Sequence, residues 1–486
     1  MSKIELPDPG QYSLTSLDIH RVNGGVSDHI GLLDIFNTVT ISSSIHKKAL
    51  TLSINITDMF GIFQLYDLSG DELISLSFKS PHYFGELEGP ERQLFFRMTN
   101  ISQLTGNDVT NSINFQIDAI HEIAYYQSFT SLDGYFEGTI KDLVKLAFEE
   151  AKGACKKIDE KLAREDVNLI AGDTTGIAKC IIPSETPFDA IDYFLAWAEH
   201  EDDFLFFFYQ TLSGFVFTNV YNFENNMYMD NPLYAEGFTR GHFFQSHKFY
   251  HDPRGVYKNR ISPRGKMMRA LSVNQITRNG TFGLADRGAL HNSVVNVDYF
   301  YKAAGKISKK FTDLYDDSRG SFRLFKGELL KSTEKFIDNF SKESNSTDYY
   351  YQSGAALGDS PMINGAKSIA DKKIIGVALF NNLVQLKVYG RSELDVGHII
   401  NLSYREINQF NDKEIQYDPE LSGSFLVKDL THVFTKNGYH QVLNVCRIGT
   451  NEDKNEVDAT NVQSSDDPVN MTDQGLVITV TKGRND

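Results

Sequence analysis

Residues 423–449 read GSFLVKDLTHVFTKNGYHQVLNVCRIG, which is the pattern of two strands joined by a tight turn. Two runs rich in β-branched and aromatic residues flank Asn437 and Gly438. Asn-Gly is the pair that best tolerates the positive φ angles of a tight type I′ turn. The pattern therefore predicts an antiparallel β-hairpin that turns at Asn437 and Gly438.

The first strand of this hairpin is apolar on both faces. A sheet buried on one side only would alternate more cleanly, so the pattern favours a barrel wall packed by a neighbour, although a core strand of a sandwich would give the same pattern. On strict alternation, one face carries Leu426, Leu430 and Phe434, and the other carries Phe425, Val427 and Val433.

The composition predicts a folded, strand-rich protein of several domains. Two to four domains are expected for 486 residues, and the 35 Phe and 23 Tyr favour strands. The formal net charge of −16 argues against nucleic-acid binding by basic residues spread along the whole sequence. The same acidic balance would suit a surface past which DNA slides without sticking.

The cysteines and the apolar runs set the expected environment. Cys155, Cys180 and Cys446 are far apart and form no CxxC pair, which predicts reduced, partly buried thiols rather than disulfides or a zinc site. The N-terminus lacks an apolar signal region, and the densest apolar run, FLFFFY at 204–209, is too short to span a membrane. We expect a soluble protein made in a cytoplasm, with this run as a buried strand.

The first half of the chain contains two kinds of pattern. Residues 14–126 predict five or six strands with short links, typical of a compact barrel or sandwich. Residues 128–222 predict an α+β unit, in which Thr139 and Thr186 cap two helices and a hairpin turns at Ser213-Gly214.

The second half is mixed until residue 372. A short helix is predicted at 332–344, and strands are predicted again from KKIIGVALF at 372–380 onward. Residues 450–474 form a polar, acidic linker that cannot bury a core. The lone β-prone segment that follows must return to its own sheet or add to the edge of another chain, and its candidate docking residues are Leu476, Val477, Ile478, Thr479 and Val480.

Motifs for catalysis are weak. His121-Glu122 begins an HExxH zinc motif, but position 125 is Tyr, and the segment is predicted as strand rather than helix. The cluster HEDD at 200–203 could bind metal or act in acid–base chemistry, or it could be a solvated loop. We therefore predict no catalytic residue, no metal site and no cofactor.

One stretch is both basic and aromatic. It could contact an acidic partner or nucleic acid, or it could form strands whose cationic side chains face water or a subunit interface. Its members are His242, Phe243, Phe244, His247, Lys248, Phe249, Tyr250, His251, Arg254, Tyr257, Lys258, Arg260, Arg264 and Lys266.

Three stretches resemble the baseplate hub proteins of contractile-tailed bacteriophages, which are related to the N-terminal part of type VI secretion spike proteins. The first joins YFEGTIKDLVKLAFEEA at 135–151 to residues 180–220, in the order helix, strand, Pro-Phe helix and aromatic hairpin. The second, LKVYGRSELDVGHIINLSY at 386–404, is similar to a strand–turn–strand of the second hub barrel. The third, residues 421–449, is similar to the hairpin that closes that barrel.

The resemblance implies a mainly β fold with α+β insertions. Two similar β-barrel domains per chain would form a pseudo-six-fold ring in a trimer, together with two α+β domains. Gly397, Asn437 and Gly438 would be structural turns, and His398 stands where related hubs often carry Asp. The implied domains are a first barrel at 1–127, an α+β domain at 128–234, a second barrel at 235–275 plus 372–449, an inserted α+β domain at 276–371, and an acidic linker with a terminal strand at 450–486.

The implied function is structural. A trimeric hub would join the six-fold tail tube to the three-fold central spike, contact other baseplate subunits, and enclose a channel through which phage DNA passes without specific binding. It would contact no membrane, and it would reside in the virion tail after assembly in the host cytoplasm. Two alternatives stay open: a tail-associated enzyme that degrades the cell wall, and the spike protein of a type VI-like secretion system.

Overall fold

The structure is a computed structural model, which describes the chain in segments. The described residues are 10–20, 29–59, 61, 66, 68, 70–80, 91–107, 112–158, 167–200, 205–219, 248–251, 268–278, 281–298, 303–317, 346–352, 362–405, 417–418 and 421–447. The helix predicted at 332–344, the linker at 450–474 and the terminal strand with Leu476–Val480 all lie outside the described residues.

In the described part of the chain, seven antiparallel strands form the first β unit. Strand β4 shows why they form, because Leu52, Ile54 and Ile56 are buried while the polar residues between them are less so. The strands pair in the order β3-β4-β7-β6-β5-β1-β2. Their bounds are β1 Ser13–His20, β2 His29–Gly31, β3 Phe36–Ser44, β4 Thr51–Asp58, β5 Leu73–Lys79, β6 Arg92–Asn107 and β7 Ser112–His121.

A central unit follows, and it contains the predicted helices. Thr139 and Thr186 accept hydrogen bonds from the amides of Asp142 and Asp189, so both predicted N-caps are confirmed. Helix α1, at 122–127, was not predicted. The elements are α1 Glu122–Gln127, β8 Leu132–Gly138, α2 Ile140–Ile158, β9 Leu169–Ala171, β10 Ala178–Glu185, α3 Pro187–Trp197, β11 Phe206–Thr211 and β12 Gly214–Asn219.

The strand predicted from the FLFFFY run is confirmed as β11, and every residue of β11 is buried. Phe206 and Phe208 pack in the core of the central unit, whereas Phe207 and Tyr209 pack in a different core. Both faces of the strand are therefore used, which explains its continuous apolar run.

The remaining strands and helices complete a second β unit and an inserted unit. The second β unit consists of β13, β14 and β18–β21, and the inserted unit carries a three-stranded sheet in the order β16-β15-β17. The elements are β13 Lys248–His251, β14 Ala270–Arg278, α4 Thr281–Asp286, β15 His291–Asp298, β16 Ala303–Lys310, α5 Phe311–Asp317, β17 Ser346–Gln352, α6 Met362–Leu379, β18 Asn382–Tyr389, β19 Ile399–Tyr404, β20 Gly423–Thr435 and β21 Gly438–Arg447.

The strand predicted at 372–380 is wrong, because residues 372–379 belong to helix α6 and Phe380 directly follows it. Ile374, Ile375, Ala378 and Leu379 are buried at a spacing that forms one helical face, and they pack on the core of the second β unit. A short apolar run does not distinguish a strand from a buried helix by its own pattern, and here packing selects the helix.

In the second β unit, the first and last strands of the pairing order lie next to each other. They pair in the order β14-β18-β21-β20-β19-β13. Tyr250 of β13 then bridges Arg269 just before β14, and the Tyr250 amide donates to the Met268 carbonyl at 3.1 Å.

One strand belongs to both β units. Residues Asp429–Thr435 of β20 pair with β3 of the first unit, while the start of β20 pairs with β19 of the second unit. The two units are consequently parts of one sheet, which has 13 strands among the described residues. None of the helices in the described part of the chain is long and apolar enough to cross a membrane.

The predicted hairpin exists, but its turn is shifted by one residue. Thr435 pairs with Gly438, so the two turn residues are Lys436 and Asn437. Gly438 has φ +143°, whereas Ser184 is the only non-glycine residue with positive φ among the described residues. Asn437 thus lacks the conformation that a type I′ turn requires, and the positive φ falls on the glycine that follows it.

The predicted assignment of faces along β20 is also wrong. A bulge shifts the register between Val427 and Asp429, so Val427 shares a face with Leu430 and Phe434. The extra residue reverses the alternation on one side of the bulge, and strict period-two counting does not detect it.

Candidate functional site: the junction of the units

The tip of the β20–β21 hairpin is inserted into the core of the first β unit. Phe434 and Tyr439 are fully buried there. Their rings stack with centroids 4.4 Å apart, and the Phe434 ring lies 4.8 Å from Phe78 and 5.3 Å from Tyr12. The hairpin therefore supplies part of the first core as well as part of the second.

Backbone contacts fix the tip against the start of the chain. The Tyr439 amide donates to the Gly10 carbonyl at 2.8 Å, and the Tyr12 hydroxyl donates to the Thr435 carbonyl at 2.7 Å. Gly390 donates to the Tyr439 carbonyl at 3.0 Å and lies so close that a Cβ at position 390 would overlap the Tyr439 ring. The close approach explains why position 390 is glycine.

A buried polar network holds the middle of the hairpin. The Tyr439 hydroxyl and His432 Nδ1 are 2.7 Å apart. Burial lowers the pKa of His432 to about 3, so the neutral ring accepts from the Tyr439 hydroxyl. Gln441 donates to the Arg391 carbonyl at 2.7 Å and accepts from the Arg391 amide at 3.2 Å. The network connects the hairpin to the loop after β18.

That loop, residues 391–398, is buried throughout, which is unusual for a connection that carries several charged residues. It contacts all three neighbouring units. The Ser392 hydroxyl accepts from Ser80 of the first β unit at 2.8 Å, and Asp395 accepts from the Leu212 amide of the central unit at 3.1 Å. The Arg391 guanidinium lies 4.7 Å above the ring of Phe249 in the second β unit. We call residues 391–398 the junction loop.

Burial controls protonation within the junction loop. It raises the pKa of Asp395 to about 7 and lowers the pKa of His398 to about 3. His398 Nδ1 accepts from the Asp395 amide at 3.2 Å, so the histidine fixes the turn in its neutral form. Gly397 has φ +81° and donates to the Val427 carbonyl, which attaches this turn to β20.

The sequence-predicted chemical candidates do not converge. His121 caps α1 by accepting from the Ile123 amide, so Glu122 and Tyr125 lie on a helix and the predicted strand is wrong at this point. Tyr125, in place of the missing second histidine, donates to Asp71 at 2.9 Å. Of the HEDD cluster the structure describes only His200. Among the described residues, no group of three or more His, Cys, Asp or Glu side chains is arranged to hold a metal ion.

The basic aromatic stretch is described only at 248–251, which form β13. Phe249 is buried against the junction loop, and His251 Nδ1 lies 2.9 Å from the Ala270 carbonyl. These residues close the second β unit, and the other members of the stretch lie outside the described residues. The three cysteines are free and buried, as predicted, and burial raises the pKa of Cys155 to about 12.

Sequence reasoning missed the junction loop and one exposed apolar surface. In the sheet of β8 and β10, Tyr135 pairs with Ile181 and both side chains are more than half exposed, as is nearby Ile177. The clearest signal for the loop was the sequence GRSELDVGH itself, where charged residues lie between two apolar strands. Its burial follows only from the assembly of three units around it.

Among the comparisons with known proteins, the one with solved structures found similar proteins. No protein-family model and no curated protein matches the chain. The tail protein from Neisseria meningitidis MC58 is similar with a TM-score of 0.50 at 10% identity, over 90% of this chain and 96% of that protein. The 43 kDa tail protein of prophage MuSo2 from Shewanella oneidensis is similar with a TM-score of 0.48 at 8% identity, over 89% and 98%.

A secretion protein is also among the similar structures. The Escherichia coli c3393 protein is described as a type VI secretion component with structural similarity to the bacteriophage T4 tail proteins gp27 and gp5. It matches with a TM-score of 0.35 at 8% identity, over 90% of this chain and 76% of that protein. The Neisseria match shows a shared fold at this identity, so the resemblance drawn from the sequence is confirmed at the level of fold: the chain is mainly β and has the fold of a tail protein.

Proposed function

We propose that the chain is a structural component of a contractile phage tail and serves as its baseplate hub. The observation that carries this proposal is the shared β20–β21 hairpin. It fuses two β units into one sheet, so each chain presents two units in a fixed relative orientation. Three such chains would present six β units around a three-fold axis, which matches a six-fold tail tube to a three-fold spike.

The hub would act by shape rather than by chemistry. Its partners would be two further copies, the tail tube protein, the central spike and other baseplate subunits. The channel would let phage DNA pass without specific binding, which the net charge of −16 favours. The protein would assemble in the host cytoplasm and remain in the virion tail.

Electron microscopy of the purified protein, with its mass measured in solution, tests the proposal. We expect a three-fold ring with an open channel and three times the mass of one chain. A protein that stays monomeric after addition of its candidate spike would refute the hub function.

Zymography on peptidoglycan tests the enzymatic alternative, because clearing that disappears with Glu201→Gln and Asp203→Asn would establish a lytic enzyme.

A further inference from the structure

The outer face of the β8–β10 sheet is exposed and largely apolar. Tyr135 of β8 pairs with Ile181 of β10, and their exposed fractions are 56% and 62%. Ile177, which alternation places on the same face, is 64% exposed. Single exposed apolar side chains are ordinary, but a cluster of them indicates a surface that another segment covers.

The two strands of this sheet differ in how well their outer edges are protected. Strand β10 contains Pro183, which has no amide hydrogen, and Ser184 at φ +55°. Its register also shifts between Ile182 and Glu185. Such features discourage the pairing of a further strand. Strand β8 contains no proline, and no described strand pairs with its outer edge.

The middle of β8 leaves room for a neighbouring backbone. Gly134 has φ +126°, and no atom beyond its chain neighbours lies within 4 Å of the position that a Cβ would occupy. Asp133 and Tyr135 on either side of it are exposed as well. A glycine inside a strand often marks a point where another backbone approaches closely. Among the described strands, β8 is therefore the open edge that we consider for a further partner.

The two carboxylates of β8 differ in what they contact. Glu137 accepts from the Tyr135 hydroxyl at 2.9 Å and pairs with the Lys179 amine at 3.3 Å. No described side chain pairs with the Asp133 carboxylate, which is exposed. A cation on an added strand would consequently gain more opposite Asp133 than opposite Glu137.

A segment of the chain outside the described residues has the complementary pattern. Residues 475–483 read GLVITVTKG, which is β-prone and ends in a cation. On alternation, one face of this segment as a strand would carry Leu476, Ile478, Val480 and Lys482. The segment thus offers an apolar row followed by one positive charge.

An antiparallel alignment matches this row to β8. It can place Val480 opposite Tyr135, and aromatic side chains pair well with β-branched ones across strands. The same alignment places Lys482 opposite Asp133. A parallel alignment with the same Val480–Tyr135 pair would place Lys482 opposite Glu137, which is already paired. Charge therefore favours the antiparallel direction.

We propose that residues 475–483 of the same chain add to the outer edge of β8 as an antiparallel third strand. The tether holds the segment near its own β8 at an effective concentration of about millimolar, which exceeds that of a separate copy at micromolar concentration. The contact does not depend on the hub function, because the strand and the segment belong to one chain. Its failure would leave the hub proposal untouched.

The tether is long enough for this contact. The 27 residues 448–474 span up to about 90 Å when extended. A chain of paired residues leads from the end of β21 to the start of α2, beside the end of β8, over at most about 70 Å. The pairs are Arg447–Asn382, Lys372–Leu195, Glu199–Thr175 and Thr174–Lys141.

Disulfide formation in the full-length protein tests the contact and its direction. Asp133→Cys with Lys482→Cys should oxidise at least about tenfold faster than Asp133→Cys with Ile478→Cys, because only the first pair faces across antiparallel strands. In the second pair, position 478 lies about 13 Å further along the strand, beyond the reach of a disulfide. The three natural cysteines are buried and do not compete.

A non-reducing gel identifies the products, because a disulfide within one chain leaves a monomer and a disulfide between chains gives a dimer. Faster formation of the first pair within monomers supports the proposal. Equal rates for the two pairs, a faster second pair, or a dimer as the main product would overturn it.

A second measurement uses hydrogen exchange of residues 133–137. Ile478→Asp with Val480→Asp should speed exchange there about tenfold, since an effective concentration about ten times the dissociation constant protects by that factor. The matched control makes the same change in the linker, with Val462→Asp and Val469→Asp. Equal exchange in the two variants would contradict a docked third strand.

Discussion

Truncation of Phe434 to alanine tests whether the hairpin tip is part of the first core. The side chain is fully buried and lies within 5.3 Å of the rings of Tyr12, Phe78 and Tyr439. Phe→Ala in a core costs about 3–5 kcal/mol, and three ring contacts place this site near the upper end, at about 4–5 kcal/mol. The loss should fall mainly on the first β unit.

The matched control is Phe425→Ala. Phe425 is equally buried in the same strand, but it belongs to the core of the second β unit and lies under the Arg447 guanidinium at 4.6 Å. The two variants remove the same side chain from one strand at two points. Their difference therefore isolates the core that each residue serves.

Native-state hydrogen exchange is the suitable assay, because a chain of several units does not have one two-state free energy. We expect Phe434→Ala to raise exchange most in β3 and β5, and Phe425→Ala to raise it most in β18 and β19. Two results would refute the conclusion that the hairpin tip belongs to the core of the first β unit. One is a loss of stability below about 1.5 kcal/mol for Phe434→Ala, and the other is increased exchange confined to the second β unit.

Three further substitutions test other contacts: two glycine substitutions should change stability in opposite directions, and the third should change stability in a pH-dependent way. Gly390→Ala should destabilise the protein by about 1–3 kcal/mol because the new Cβ overlaps Tyr439, whereas Gly153→Ala, in open space on α2, should stabilise it by about 0.5–1 kcal/mol. Native-state hydrogen exchange, followed in β21 for Gly390→Ala and in α2 for Gly153→Ala, measures both changes, and equal signs would contradict the close approach. Asp395 has a folded pKa of about 7, above its unfolded value of about 3.9, so its contribution to stability is lost as pH rises from about 4 to about 7. Native-state hydrogen exchange in β18 and β20, compared between the two proteins at each pH, should show Asp395→Asn gaining stability on the natural protein by about 1.4 kcal/mol per pH unit in that window. A difference that stays constant with pH would refute the shifted pKa.

Local patterns in the sequence predicted much of the fold. The helix caps at Thr139 and Thr186 and the buried strand at 206–211 all depend on contacts within a few residues. Helix α6 was mistaken for a strand because Ile374 and Ile375 pack on a sheet that the local pattern does not contain. The shifted turn and the bulge after Val427 are one-residue effects, and these are set by the partner strands rather than by alternation.

The junction could not be predicted, because its contacts join distant parts of the chain. Asp395 accepts from Leu212, and Ser392 meets Ser80, although each partner lies in a different unit. Taken alone, charged residues between two strands predict an exposed turn. The junction loop is shielded from water only because three units pack around it.

The shared hairpin also sets when the first β unit can be completed. Ser42 and Thr431, which face each other across β3 and β20, are 389 residues apart. Closing a loop of that length costs about 5 kcal/mol in chain entropy. Seven residue pairs and the burial of Phe434 and Tyr439 must offset this cost together. The sheet of the first unit therefore stays open at β3 until nearly the whole chain is available, and neither β unit is complete without the other.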